Sequence, residues 1–223
     1  MAVVFLLFLL VVSEGSFFDG PLQPKFSETY KAWIFQTIYA YNTTIEANGY
    51  TVRDQAGGRE IQNVTIRYEN GTLLDQYSQL HRMDINTTFL TTWDIKGNTT
   101  CVKSAGLMTP SIWDWVPFTN YTGRDYFFNV DEWFYFGSRL NRTYVDDLSL
   151  SVSIEDSTIP LIVYDHTYAI RSVFYSFDSS YKPADSDFQP PPNCNDSYGG
   201  NKQVSPMLEL IKGNKRKQRL FFL

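Results

Sequence analysis

The sequence has few of the residues with which most enzymes work. Its 223 residues include two histidines and two cysteines, and it contains no glycine-rich phosphate loop and no zinc-type Cys/His spacing. A Ser-His-Asp arrangement needs a carboxylate that orients the histidine, but Asp165 beside His166 would point to the opposite face of a strand. His81 falls in a predicted hairpin arm. The sequence therefore predicts no catalytic residue and no enzymatic activity; a hydrolase would need a buried polar pair that the pattern does not reveal.

Long hydrophobic runs are also scarce. The run VVFLLFLLVV at 3–12 is too short to span a bilayer and has the length of a signal-peptide core. Small residues follow at Ser13 and Gly15, so we predict a signal peptide over residues 1–15, against the alternatives of an N-terminal anchor or a buried strand. No later run is long enough for a membrane helix. We expect a mature protein that does not span the membrane and is secreted, or is kept in a lysosome-like compartment.

The chain is rich in Asn-x-Ser/Thr sequons, of which there are eight. In an exported protein each sequon is a glycan acceptor and marks a surface position. The alternative is that these Asn-Thr pairs only reflect exposed turns and strand ends. We predict a glycoprotein with acceptors at Asn42, Asn63, Asn70, Asn86, Asn98, Asn120, Asn141 and Asn195.

The two cysteines, Cys101 and Cys194, are expected to form one disulfide in an oxidising compartment. The bond would close a loop of more than ninety residues, and the chain-entropy model assigns such a loop about 4 kcal/mol of stabilisation. Two free or intermolecular thiols are the alternative.

The charge of the chain argues against a nucleic-acid partner. The formal net charge is −5, although residues 212–219 contribute five basic side chains. The remaining body is therefore strongly acidic, which disfavours binding to nucleic acid. The basic end predicts a disordered tail over 201–223, and the length of the rest predicts a single domain over 16–200.

Short apolar runs separated by Gly and Asn turns dominate the sequence. Residues 148–154, LSLSVSI, alternate strictly, and Asn70-Gly71 is a strong hairpin signal. We predict a polar break between strands at 42–48 and a tight turn at Gly57-Gly58. Such short strands at near-regular spacing predict a mostly β, antiparallel fold. The segment Leu107–Phe118 breaks the rhythm and is predicted to be either a short helix or an ordered loop that covers an apolar cavity on one sheet face.

Several motifs follow one another along the chain. They are YTGRDYFFNVDEWFYF, LSLSVSI followed by IPLIVY, SVFYSFDSSYKP and DFQPPPNC, with TTWDIKGNTTC before them. From Tyr121 onward this order resembles that of eukaryotic secreted proteins with a LolA-like domain, the group that includes the ependymin-related proteins. The resemblance covers about half of the chain, and none of its motifs is catalytic. Members often have more cysteines than the two present in this chain.

The resemblance implies two antiparallel sheets curved into a half-barrel around an apolar cavity that binds a lipid or another hydrophobic ligand. It also implies homodimers and an association with calcium. Aromatic residues make up 17% of the chain, and most of them are explained as side chains that fill the core. The alternative is that some of them line the cavity, and the predicted ligand-binding set is Trp33, Phe35, Phe89, Trp93, Trp113, Trp115, Phe134, Phe136 and Phe174.

One further function competes with the hydrophobic-ligand carrier. An adhesion or matrix protein would have a filled core and would act through its surface, its glycans and bound calcium. No cofactor is predicted, although a weak calcium site in one of the carboxylate pairs is the alternative to solvated turns. Those pairs are Asp131-Glu132, Asp146-Asp147, Glu155-Asp156 and Asp185 with Asp187.

Overall fold

The computed structural model describes residues 20–40, 43–94, 96–106, 111–137, 147–192 and 194. The predicted signal peptide and basic tail lie outside these ranges. No helix within them is long and apolar enough to cross a lipid bilayer. Short 3-10 helices cover Met83–Ile85, Val116–Phe118 and Asp185–Phe188. The strands are β1 (Thr29–Ala40), β2 (Thr43–Asp54), β3 (Arg59–Tyr68), β4 (Leu73–Arg82), β5 (Thr87–Trp93), β6 (Thr99–Ala105), β7 (Asn120–Asp125), β8 (Val130–Phe136), β9 (Asp147–Ser153), β10 (Pro160–Asp165) and β11 (Ile170–Asp178).

These strands form one antiparallel sheet in the order β6-β5-β4-β3-β2-β1-β11-β10-β9-β8-β7. At its centre β1 pairs with β11, from Lys31 opposite Asp178 to Ile38 opposite Ile170. The edge strands β6 and β7 do not pair with each other, so the sheet stays open. The prediction of a mostly β, antiparallel half-barrel is confirmed. The strands form one continuous sheet, where the resemblance implied two.

The inner face of the sheet, which carries Tyr30 and Ile34 of β1, bears the largest core. Alternation produces this face: in β9, Leu148, Leu150 and Val152 are at most 4% exposed, while the serines between them point away. Trp133 and Tyr135 of β8 belong to the same core as the residues of β1. Side chains of β9, of β11 and of residues 111–119 connect these two strands within the core.

The segment 111–119 covers the inner face as the sequence predicted, and it is an ordered turn that ends in a short 3-10 helix. Trp113 and Trp115 are 4% and 3% exposed. The indole Nε1 of Trp115 donates to the carbonyl of Ile112 at 2.8 Å, and Gln23 Nε2 donates to the carbonyl of Val116 at 3.0 Å. Residues 107–110 of the predicted cover lie outside the described ranges.

The outer face, which carries Trp33 and Val52, is crossed by an arm that follows β11. Phe188 on this arm is fully buried against Val52, Leu80 and Phe89. The arm is held at its end by a disulfide between Cys101 on β6 and Cys194, with 4.7 Å between the two Cα atoms. The predicted disulfide is therefore confirmed, and it joins the arm to an edge strand.

The predicted polar break at 42–48 is wrong, because β2 begins at Thr43 and pairs with β1 along its length. Ile45 and Ala47 are 1% and 2% exposed on the inner face. The polar residues Glu46 and Asn48 alternate with them on the outer face. Asn and Glu have low β-propensity, so the sequence pattern concealed a strand that pairing with β1 and β3 stabilises.

We predict that the double variant Cys101→Ser/Cys194→Ser unfolds at lower urea concentration than the wild type. The disulfide closes a 93-residue separation, so its removal should lower the free energy of unfolding by about 3–4 kcal/mol through the entropy of the unfolded chain. Wild-type protein reduced with a thiol reagent is the matched control and should unfold like the variant. Equal midpoints for oxidised and reduced wild type would contradict the prediction.

Candidate functional site

The nine aromatic residues predicted to line one cavity lie on both faces of the sheet. Trp113 and Trp115 cover the inner face, and Phe174 of β11 contacts Trp113 there with ring centroids 5.7 Å apart. The other six alternate with buried inner-face residues or pack beneath the arm, and so belong to the outer face: Trp33, Phe35, Phe89, Trp93, Phe134 and Phe136. The nine residues therefore do not line one cavity, because a sheet separates them. Their binding of a ligand stays a prediction.

The inner-face aromatic residues fill their space almost completely. The gap between Trp113, Trp115 and the sheet has a volume of about 30 Å³, which is the share of one water molecule in the liquid. Leu148 and Val163 line its other side. A fatty acyl chain does not fit there, so this part of the inner face is a packed core.

A larger depression lies on the outer face across β1 to β4, and we call it the outer groove. Its volume is about 460 Å³, within the range of about 300–1,000 Å³ that is usual for small-molecule sites. Trp33 is 46% exposed, so an aromatic surface is open to solvent. The groove is lined by Trp33, Phe35, Glu46, Asn48, Gly49, Tyr50, Asn63, Val64, Thr65, Arg67, Gln76 and Tyr77.

Strand register arranges the groove into an aromatic part and a polar part. Trp33 lies opposite Tyr50 on β2, and their ring centroids are 5.0 Å apart. Tyr50 in turn lies opposite Asn63 on β3. Four residues before Tyr50 on β2, Glu46 lies opposite Arg67. One end of the groove therefore offers aromatic rings and the other offers charged groups.

Gly49 lets β2 and β3 approach closely beneath the groove. A Cβ atom at this position would collide with the backbone carbonyl of Asn63, while the nearest Val64 atom would be 3.1 Å away. Backbone atoms cannot yield as a flexible side chain does, so only glycine fits at this position.

The remaining outer-face aromatic residues are separate from the groove. Phe89 is 5% exposed and packs under Phe188 of the arm. Phe134 lies 4.4 Å from Phe136 and 5.1 Å from His166 by ring centroids. Trp93 is half-buried at the end of β5.

A polar cluster that the sequence pattern did not predict is buried on the inner face. Arg53 on β2 and Glu60 on β3 form an ion pair at 3.2 Å, and both side chains are at most 4% exposed. Gln62 donates to the second oxygen of Glu60 at 2.6 Å. Nearby, His81 Nδ1 lies 3.0 Å from the hydroxyl of Thr88. We call these residues, with Tyr30, the inner polar cluster.

Burial sets the protonation states in this cluster. Burial, together with the charge of Glu60, raises the pKa of Tyr30, so its hydroxyl stays protonated. Burial lowers the pKa of His81, although the negative charge of Glu60 acts in the opposite direction. His81 is therefore neutral at pH 7, and Arg53 supplies the positive charge that Glu60 needs.

The inner polar cluster is the kind of buried polar pair that a hydrolase would need, but it is closed to substrate. Arg53 is 2% exposed, Glu60 3% and His81 5%. Its ion pair joins β2 to β3, and a one-residue slip would separate the partners and leave a buried charge unpaired. The cluster therefore fixes strand register. The expectation that the protein is not an enzyme stays a prediction.

Residue spacing did not reveal the pair. Arg53 and Glu60 lie directly opposite each other across the four-residue loop 55–58. The sequence predicted a tight turn at Gly57-Gly58, and a two-residue turn there would have placed Gln55, not Arg53, opposite Glu60. The pairing therefore depends on the length of the loop, which the structure shows.

The described sequons lie mostly at exposed positions, as glycosylation requires. Asn70, Asn86, Asn98 and Asn120 are exposed, whereas Asn63 is half-buried in the wall of the outer groove. Asn42, Asn141 and Asn195 lie outside the described residues. Occupancy of these sequons by glycans stays a prediction.

Two of the carboxylates considered for calcium, Asp131 and Asp185, pair with arginine side chains. Asp131 accepts two hydrogen bonds from Arg124, at 2.8 and 2.9 Å, and these bonds hold its pKa below the usual value. Asp185 pairs with Arg59 at 2.6 Å. Among the described residues, no group of three or more His, Cys, Asp or Glu is placed to hold a metal ion. A weak calcium site stays a prediction, and Asp146 lies outside the described ranges.

Comparison with known proteins leaves the family undecided. No protein-family model matches the chain. No curated protein matches it either. Among solved structures, the chain is similar to PNGF-II in two crystal forms. In the C2 form the TM-score is 0.31 at 7% identity, covering 76% of this chain and 31% of that chain. In the P21 form the TM-score is 0.32 at 8% identity, covering 77% and 32%. The chain thus spans about a third of the length of PNGF-II, and the LolA-like resemblance stays a prediction.

We predict that the free energy of unfolding decreases as the pH falls from about 7 to about 5.5. The unfolded chain protonates His81 near its ordinary pKa of 6.5, while burial lowers the pKa of the folded form. Protons therefore bind preferentially to the unfolded state in this range, and stability falls by at most about 1.4 kcal/mol per pH unit for one such group.

Urea unfolding at several pH values measures this effect. The variant His81→Gln should have a flatter dependence on pH, because it removes the titrating group. His166→Gln is the matched control, since His166 is exposed, and it should keep the wild-type slope. Equal slopes for His81→Gln and the wild type would contradict the assignment.

Proposed function

We propose that this protein is a secreted, glycosylated, non-catalytic binding protein for a lipid or fatty acid, and that the outer groove is its binding site. The observation that supports this proposal is an open groove of about 460 Å³ with exposed aromatic walls. The LolA-like resemblance, which implies a hydrophobic ligand, points in the same direction. The proposed site lies on the outer face, whereas the sequence predicted a cavity beneath residues 107–118.

The two ends of the groove favour an amphiphilic ligand. An acyl chain would pack against Trp33, Phe35 and Tyr50 and would be removed from water there, which is favourable by roughly 25 cal/mol per Å² of apolar area before ordering costs. A carboxylate headgroup would lie toward the guanidinium of Arg67. Arg67 donates one hydrogen bond to the carbonyl of Gly71, at 3.0 Å, and a guanidinium has further donors for a second acceptor.

A second candidate function is an adhesion or matrix role that depends on the surface and its glycans. Two observations favour it: the inner-face gap is only about 30 Å³, and Asn63 of the outer groove lies in a sequon. A glycan on Asn63 would begin inside the groove, beside Tyr50. The groove would then hold the protein's own sugar instead of a lipid.

Trp33→Ala should weaken binding of a fluorescent fatty acid at least about tenfold, because it removes the largest exposed aromatic wall of the groove. Its effect on the free energy of unfolding should stay below about 1 kcal/mol, since the Trp33 side chain is half exposed. Trp93→Ala is the matched control, because Trp93 does not line the groove, and it should keep wild-type affinity.

A second measurement uses the wild-type protein purified from a secretory host. Mass spectrometry of a solvent extract should find a stoichiometric lipid, and glycopeptide mapping should find Asn63 unoccupied. The variant Thr65→Val removes the sequon with little change in shape. If the extract is empty, no fatty acid binds and Asn63 is glycosylated, the adhesion role replaces the carrier.

A further inference from the structure

The hairpin turn between β7 and β8 presents three consecutive aromatic side chains to solvent. Tyr126, Phe127 and Phe128 are 82%, 87% and 69% exposed. Single exposed apolar residues are normal on protein surfaces, whereas contiguous patches mark a surface that contacts something else. We call these three residues the aromatic tip.

The aromatic tip is held in a defined conformation by the residues around it. Asp125 Oδ1 accepts hydrogen bonds from the backbone amides of Phe127 at 2.8 Å and Phe128 at 3.1 Å. Asn129 closes the turn with a left-handed φ of 57°. The rings of Phe127 and Phe128 meet edge to face, with centroids 4.9 Å apart. The turn therefore directs its rings outward by its own hydrogen bonding.

The nearest arginine has a partner within the protein, and the tip itself carries no charge. Arg124 forms two hydrogen bonds with Asp131 and lies 6.0 Å from the ring of Tyr126. Between Asp125 and Asp131 the sequence is Tyr-Phe-Phe-Asn-Val, without a charge. Shallow insertion of the three tip side chains into an apolar medium would therefore remove no charged side chain of residues 126–130 from water.

We propose that the aromatic tip inserts into the interfacial region of a zwitterionic lipid bilayer. Three aromatic side chains bury roughly 150–250 Å² each, which gives less area than the roughly 800 Å² per partner of a stable protein interface. A bilayer accepts such a small convex tip, and Tyr and Phe are residues that favour its interface. The acidic net charge of −5 disfavours anionic lipids, so apolar insertion drives binding.

This proposal goes beyond ligand binding in the outer groove and does not depend on it. The tip lies on β7 and β8 at one edge of the sheet, while the groove lies across β1 to β4. Variants of the two regions therefore test the two proposals separately.

The test is flotation of the purified full-length mature protein with phosphatidylcholine vesicles. The wild type is expected to float with the vesicles, and Phe127→Ser/Phe128→Ser should lower the partition coefficient at least about tenfold. Phe127→Ser alone, at the most exposed tip position, should give an intermediate loss and serves if the double variant does not fold. Binding should not rise with added phosphatidylserine and should not fall with salt.

Two controls separate tip insertion from other effects. Tyr39→Ser changes an aromatic residue that is 51% exposed away from the tip, and it should float like the wild type. Trp33→Ala should also float normally even if it abolishes fatty-acid binding. The proposal is overturned if the wild type stays with the unbound fraction or if the double variant floats equally well. It is also overturned if binding requires phosphatidylserine, or if sedimentation shows a tip-dependent dimer that does not bind vesicles.

Discussion

The pairing of β1 with β11 is the interaction on which the rest of the structure depends. It joins β2–β6, which follow β1 in sequence, to β7–β10, which precede β11, and so makes one sheet from two hairpin series. The two strands are separated by more than a hundred residues in the chain, so their pairing requires closure of a long loop. Once β1 is central, Tyr30 and Ile34 are brought into one core with Trp133 and Tyr135 of a distant strand.

Each face of this sheet is covered by a segment that is not a strand. Residues 111–119 cover the inner face at β1, β8, β9 and β11, and the arm after β11 covers the outer face from β2 to β6. The disulfide between Cys101 and Cys194 ties the arm to an edge strand. The arm packs against one side of Tyr50 and leaves Trp33 accessible in the outer groove.

The two proposed contacts with lipid use different physical arrangements of aromatic residues. The outer groove presents rings on a concave surface with Glu46 and Arg67 at one end, which is suited to a single amphiphile. The aromatic tip presents rings on a convex turn that Asp125 holds open, which is suited to a bilayer surface. The inner polar cluster has a separate role, because its buried ion pair fixes the register on which the groove depends.

The sequence by itself determined the strand pattern, the Cys101–Cys194 bond and the covering segment, because alternation, turn residues and cysteine count are local signals. It did not determine β2 from Thr43 onward, since polar outer-face residues hid the alternation. Only the tertiary structure decided which face each aromatic residue occupies. Trp33 and Trp133 both lie in strands, but one is 46% exposed and the other 5%. Trp133 points to the inner face, which residues 111–119 cover, and Trp33 points to the open part of the outer face. For the same reason the inner gap and the outer groove, and the pairing of Arg53 with Glu60, could not be read from residue spacing alone.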